Sequence, residues 1–155
     1  MKVLLLEDDI ALSDLLNEHL EDKGYEVTLC TNGQEALEAL IDKKFDIALL
    51  DINTPVITGI EVLKRVRIEY KNNTPIIILT AYQDTKHLKE SFENGVDDYI
   101  KKPFDLEELD QRILKLCRKF LIEQDEKIKI DENLFFEPLS SQIFRDNEVL
   151  NLAQK

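Results

Sequence analysis

The chain has 155 residues, enough for one ordinary domain with a small appendage, and its 43% hydrophobic content can fill a real core. Thirty-two acids against 20 basic residues give a net charge of −12, which excludes general attraction to nucleic acid or to anionic membranes. No run approaches the ~20 apolar residues of a membrane span, and acids follow the first apolar run too soon for a signal peptide.

Short apolar runs alternate with helical periodicity from the N-terminus onward. Residues 2–6, "KVLLL", read as a strand that ends abruptly in Glu7, Asp8 and Asp9. Leu12, Leu15, Leu16 and Leu20 then recur at helical spacing, closed by Gly24. "YEVTLC" (25–30) is a second strand, and Ala36, Leu37, Leu40 and Ile41 form one stripe of a helix over 33–44. "DIALL" (46–50) stops at Asp51. A loop with Pro55 and Gly59 follows, feeding a helix with Ile60, Leu63 and Val66. "PIIIL" (75–79) ends at Thr80, and a more polar helix with Leu88 and Phe92 stops at Gly95. "DDYI" (97–100) is a short fifth strand. From Phe104 to Leu121, apolar residues at 106, 109, 113, 116, 117 and 120 mark a strongly amphipathic fifth helix. After Ile122 the texture changes: "EQDEK" (123–127) reads as a charged linker, and "IKI", "LFFE", "QIFR" and "EVLNL" read as short strands. Cys30 and Cys117 match no metal spacing and make no disulfide framework, so both are expected as small hydrophobes in a reducing cytoplasm. His19 and His87 have no partner at ligand spacing and are expected at the surface.

Apolar strands separated by helices make a parallel sheet covered on both faces. Right-handed crossovers over roughly 120 residues favour an α/β fold: a doubly wound, flavodoxin-like sheet of five strands in the order 2-1-3-4-5, with a short β-rich C-terminal segment. Such sheets bind ligands at the carboxyl ends of their strands, where strand order reverses. Here those ends carry Glu7, Asp8, Asp51, Thr80 and, just after the fifth strand, Lys102. Adjacent carboxylates about 4 Å apart repel by roughly 4 kcal/mol at an effective dielectric near 20, so the acids either splay into water or surround a cation. Taken alone, the run 7–9 is a solvated loop. With Asp51 facing it from the neighbouring strand, it becomes a hard-cation site suited to Mg²⁺. Asp51 is then a candidate carboxylate nucleophile toward a phosphoryl group, with the metal and Lys102 neutralising the phosphoryl oxygens and the Thr80 hydroxyl hydrogen-bonding them.

At these residues the chain resembles the receiver domain of two-component response regulators. "VLLLEDD" matches the first strand with its acid pair Glu7 and Asp8. "DINTPVITG" resembles the phosphoacceptor segment, "ILTA" carries Thr80, and "DDYIKKPF" carries Tyr99, Lys102 and Pro103. The resemblance spans residues 1–122. It implies that Asp51 is the phosphoacceptor, that Glu7, Asp8, Asp51 and the backbone carbonyl of Asn53 hold Mg²⁺, and that Lys102 and Thr80 bind the phosphoryl group. It further implies a switch formed by Thr80 and Tyr99, a cis peptide bond before Pro103, and a sensor histidine kinase as the donor. The protein would be a regulator that promotes its own phosphotransfer and dephosphorylation, not an enzyme.

Residues 128–155 look like the N-terminal strands of the winged-helix DNA-binding domain of OmpR/PhoB-type regulators, a transcription factor with its DNA-reading part missing. The segment from 123 on carries eight acids against four bases, so DNA binding is expected in a full-length protein and not through this fragment. OmpR-type receivers dimerise through the fourth helix, fifth strand and fifth helix, where Asp98, Glu108 and Arg112 match, although Leu88, Lys89 and Gln111 depart from the usual pattern. A phosphatase of the haloacid dehalogenase type would need the nucleophile before the acid pair and a second Asp where Asn53 stands. A flavin binder would need a phosphate-cradling loop where Glu7, Asp8 and Asp9 would repel the phosphate. A receiver-like module that signals without phosphorylation would not need the complete set of acids, acceptor, Thr and Lys.

Overall fold

The computed structural model describes the backbone of residues 1–81 and 85–131, with side chains through residue 121. Five strands, β1 (Lys2–Leu6), β2 (Glu26–Cys30), β3 (Ile47–Asp51), β4 (Ile76–Ala81) and β5 (Asp98–Lys102), pair in parallel in the order β2-β1-β3-β4-β5. This is the sheet that the apolar runs predict. Helices α1 (Ile10–Asp22), α2 (Gly33–Asp42), α3 (Gly59–Lys64), α4 (Thr85–Glu93) and α5 (Leu106–Asp131) connect and cover it. The chain divides into two compact units, Met1–Cys117 and Arg118–Lys155, and the sheet lies in the first.

Alternation along the three central strands sends successive side chains to opposite faces. Leu4, Leu6, Ala48, Leu50, Ile76 and Ile78 join Leu37 and Leu40 of α2 and Ile60 and Leu63 of α3 in one core. Val3, Leu5, Ile47, Leu49, Ile77 and Leu79 join Leu16 and Leu20 of α1 and Leu109 and Ile113 of α5 in the other. Both faces being covered explains why these strands read as unbroken apolar runs. Two expected core positions lie outside: Leu15 is 50% exposed and Ile41 is 41% exposed. Leu15 stands one residue before buried Leu16 and Ile41 one residue after buried Leu40, where the 100° step of a helix turns the side chain toward water. Cys30 is buried and Cys117 half-buried, as expected. His19 is no simple surface residue, because its Nε2 lies 2.8 Å from Asp110 Oδ1 and so joins α1 to α5.

Two segments depart from the sequence reading. The fifth helix does not stop near Leu121. It continues to Asp131, through the expected linker at 123–127 and the expected strand at 128–130. Glu, Gln and Lys are good helix formers, and no Gly or Pro stands between Pro103 and Pro138 to end the helix. The remaining expected strands, and the winged-helix portion over 132–155, lie outside the described residues. The third helix widens into a π-type turn over Arg65–Glu69. That turn sends Arg67 across the bottom of the sheet, where its guanidinium donates to the carbonyls of Gly95 (3.0 Å) and Asn72 (2.8 Å) and to Asp97 Oδ2 (2.9 Å). Asp97 in turn accepts from the first amide of β4, Ile76 N, at 2.9 Å. No described helix is long and apolar enough to cross a membrane.

Candidate functional site

Register alone assembles the site. Leu6 pairs with Leu50, so the next residues along these neighbouring strands, Glu7 and Asp51, emerge side by side at their carboxyl ends. One carboxylate oxygen each from Glu7, Asp8 and Asp51 lies within 4.8 Å of the others. The run of three acids that ends β1 thereby separates into three tasks. Glu7 is buried and meets Lys102 Nζ at 2.8 Å. Asp8 stays exposed on the open side of the cluster. Asp9 is the N-cap of α1, its side chain accepting from Leu12 N at 3.2 Å while its own amide donates to Glu7 Oε2 at 3.1 Å. The capping role is one that the sequence reading missed, although an Asp directly before a helical apolar run is the signal for it.

Lys102 comes from the far end of the sheet, on β5, and reaches both buried acids: Glu7 Oε1 at 2.8 Å and Asp51 Oδ1 at 3.4 Å. Burial alone would depress its ammonium, but the hydrogen bond to Glu7 and the field of Asp51 outweigh that and leave its pKa above the usual value. Asp51 is pushed up to about 6, first by burial and further by Glu7, against the opposing pull of Lys102. Glu7 and Asp51 share the Lys102 ammonium and Asp8 stands beside them, so the cluster retains an excess of negative charge and favours a further cation. An all-oxygen set of this kind suits a hard divalent ion such as Mg²⁺.

The other predicted residues stand as follows. The peptide bond between Lys102 and Pro103 is cis. Thr80 is buried one residue beyond the Leu79 that pairs with Asp51, and its hydroxyl donates to the Ala81 carbonyl at 3.4 Å, not to the acids. Tyr99 lies half-buried on β5 with its ring edge-on to Phe92, centroids 5.5 Å apart. The amide of Asn53 approaches Asp51 Oδ1 at 3.5 Å. Asp98, Glu108 and Arg112 already pair within one chain, Arg112 meeting Asp98 at 2.9 Å and Glu108 at 3.2 Å.

The loop after β3 turns back sharply. Ile57 N donates to the Pro55 carbonyl at 2.9 Å across Val56, whose φ of 70° is a left-handed value for a β-branched residue. Thr54 is buried and donates its hydroxyl to the Ile57 carbonyl at 3.0 Å. Gly33 N at the start of α2 donates to the Pro55 carbonyl at 3.2 Å, a contact that no local signal announced.

Comparison with known proteins follows the same lines. A family model described as the response regulator receiver domain matches residues 3–114. The transcriptional regulatory protein CrdR of Helicobacter pylori is 40% identical over 149 residues, 96% of this chain and 67% of its own length. The chain spans about half to two thirds of the length of the curated relatives it matches. Among solved structures, the receiver domain of the Francisella response regulator 1452 superposes with a TM-score of 0.71 at 34% identity, covering 77% of this chain and 98% of that one. The receiver domain of the sensor histidine kinase PA1611 from Pseudomonas aeruginosa, with a magnesium ion coordinated in its active-site cleft, gives a TM-score of 0.68 at 28% identity over 75% of this chain and 96% of that one.

Proposed function

The chain belongs to the response regulator receiver domain family of two-component signalling, and from that premise we propose that Asp51 accepts a phosphoryl group from the phosphohistidine of a sensor histidine kinase. The observation that carries this reading is the buried carboxylate of Asp51, held between two further acids and 3.4 Å from Lys102. A carboxylate oxygen of Asp51 attacks phosphorus, a P–O bond forms as the P–N bond to the donor imidazole breaks, and the imidazole takes a proton on leaving. Glu7, Asp8 and Asp51, with the Asn53 backbone carbonyl, would hold Mg²⁺, which supplies positive charge to the phosphoryl oxygens when bound. Lys102 adds a second cation and Thr80 turns its hydroxyl from the Ala81 carbonyl to the phosphoryl group. Tyr99 then shifts inward, and the surface of α4, β5 and α5 changes with it.

The output is transcriptional in this reading. Support comes from the names of the relatives and from the match to CrdR, which runs over 149 residues and so continues past the receiver. Residues 132–155 would begin an OmpR/PhoB-type DNA-binding part, with DNA contacted by the full-length protein in the cytoplasm. Homodimerisation on activation would re-partner Asp98, Glu108 and Arg112 across a two-fold axis. The test is mass spectrometry after incubation with a small-molecule phosphodonor and Mg²⁺. One phosphate should be gained by the parent and none by Asp51→Ala, and equal labelling of both would remove Asp51 from the role.

A further inference from the structure

We infer that Gly33, at the first turn of α2, is a positioning residue for the acidic site, acting through the turn at 55–57. This rests on the metal reading above. The chain of contacts is continuous. A Cβ built on Gly33 would overlap the Ile57 carbonyl oxygen and stand 2.6 Å from its carbonyl carbon. Both atoms are backbone, so no side-chain rotation relieves the clash. That same carbonyl oxygen accepts the Thr54 hydroxyl at 3.0 Å. Thr54 is buried and adjoins Asn53, whose amide approaches Asp51 Oδ1 at 3.5 Å. The far side of the turn is held as well, since Gly59 N donates to the Ile52 carbonyl at 3.1 Å. Gripped at both ends, the loop transmits a push at Ile57 inward through Thr54.

The absent side chain of Gly33 therefore decides how close the turn sits to α2, and so where Thr54 and Asn53 stand relative to Glu7, Asp8 and Asp51. Groups that orient metal ligands from behind tune affinity, commonly by about 10- to 100-fold. Gly33 holds no ligand and touches none. Its effect passes through the Ile57 carbonyl and the Thr54 hydroxyl, both distant in sequence, which is why nothing in its own stretch of sequence marks it.

The experiment measures Mg²⁺ affinity by calorimetry on the 155-residue chain, with circular dichroism as the check on folding. Four proteins are compared: the parent, Gly33→Ala, Thr54→Val and the double variant. Thr54→Val keeps the shape of the side chain and removes only the hydroxyl that reaches Ile57. Gly24→Ala is the control. Gly24 sits at φ +88° with nothing within 4 Å of a built Cβ, so alanine there strains the fold away from the site. Expected are Mg²⁺ binding about 10-fold or more weaker in both single variants, a double variant no weaker than the worse single, and a less stable Gly24→Ala with parental affinity. If Gly33→Ala folds and binds within about twofold of the parent, the inference is overturned. If Gly33→Ala does not fold, Thr54→Val decides in the same way. Failure of the parent itself to bind Mg²⁺ would instead overturn the metal reading, and this inference with it.

Discussion

At the scale of single residues, the site holds two groups in conditions they would not choose alone. Asp51 is the first. Its pKa of about 6 lies above the ordinary 3.8, so without metal its contribution to stability is fully present below pH 3.8 and is lost as pH rises through 6. The difference of two units is worth about 3 kcal/mol at most. Asparagine does not titrate, so in EDTA the stability of Asp51→Asn relative to the parent should rise by about this amount between about pH 4 and about pH 7.5. Urea unfolding at the two pH values measures it, and a difference independent of pH would contradict the burial argument. Val56 is the second. It is 77% exposed and left-handed, so it keeps the strain and gains no burial. Val56→Gly, which has no Cβ to strain at this φ, should stabilise the protein by up to roughly 1 kcal/mol after the added freedom of the unfolded chain is offset, seen as a higher denaturation midpoint at unchanged slope.

Much at this scale was legible before any coordinates. The acids, Asp51, Thr80 and Lys102 stand at strand ends, and a strand end is where an apolar run stops. What could not be read were contacts whose partners lie far apart in the chain. Lys102 sits nearer Glu7 than Asp51, and Gly33 meets a loop more than twenty residues away. None of these leaves a periodicity.

At the scale of elements, the strands were the clearest, because burial on both faces leaves no polar position to blur them. The helices were less clear at their ends. Leu15 and Ile41 extend their stripes by composition and not by facing the core. The passage of α5 through 123–127 shows that a charged run of good helix formers continues a helix unless something stops it. The π-type turn has no sequence signature, yet it places Arg67 where one guanidinium ties three segments together. Arg67→Ala should cost roughly 1–2 kcal/mol, since it leaves the part-buried Asn72 carbonyl without its donor while water replaces the exposed contacts to Gly95 and Asp97. Hydrogen exchange should accelerate most at Ile76 and around Gly95–Asp97. Uniform acceleration across the sheet would show that the guanidinium has no local role.

At the scale of the whole molecule, the net charge of −12 and the partly compensated acid cluster act in the same direction, and a divalent ion at the cluster should stabilise the fold by mass action. Millimolar Mg²⁺ should raise the melting temperature of the parent and raise that of Asp8→Ala much less, both beyond any effect of a monovalent salt at equal ionic strength. An equal rise in both proteins would mean that the acids are merely solvated. A phosphoryl mimic should shift the NMR signals of Phe92 and Tyr99 as well as those around Asp51. Shifts confined to the acids would count against transmission to the α4–β5 surface.

The alternation of the central strands between two cores has a consequence for how such a chain can vary. Each of these strands behaves like a reading frame of two. An insertion of one residue inside Ile47–Leu50 would exchange the side chains offered to α2 and α3 with those offered to α1 and α5, and would carry Asp51 past Glu7 in the same stroke. Errors of length in the middle of the sheet are thus read out twice, as two spoiled cores and one dispersed site. Substitution can proceed there residue by residue, while additions and deletions are confined to the turns beyond the strand ends.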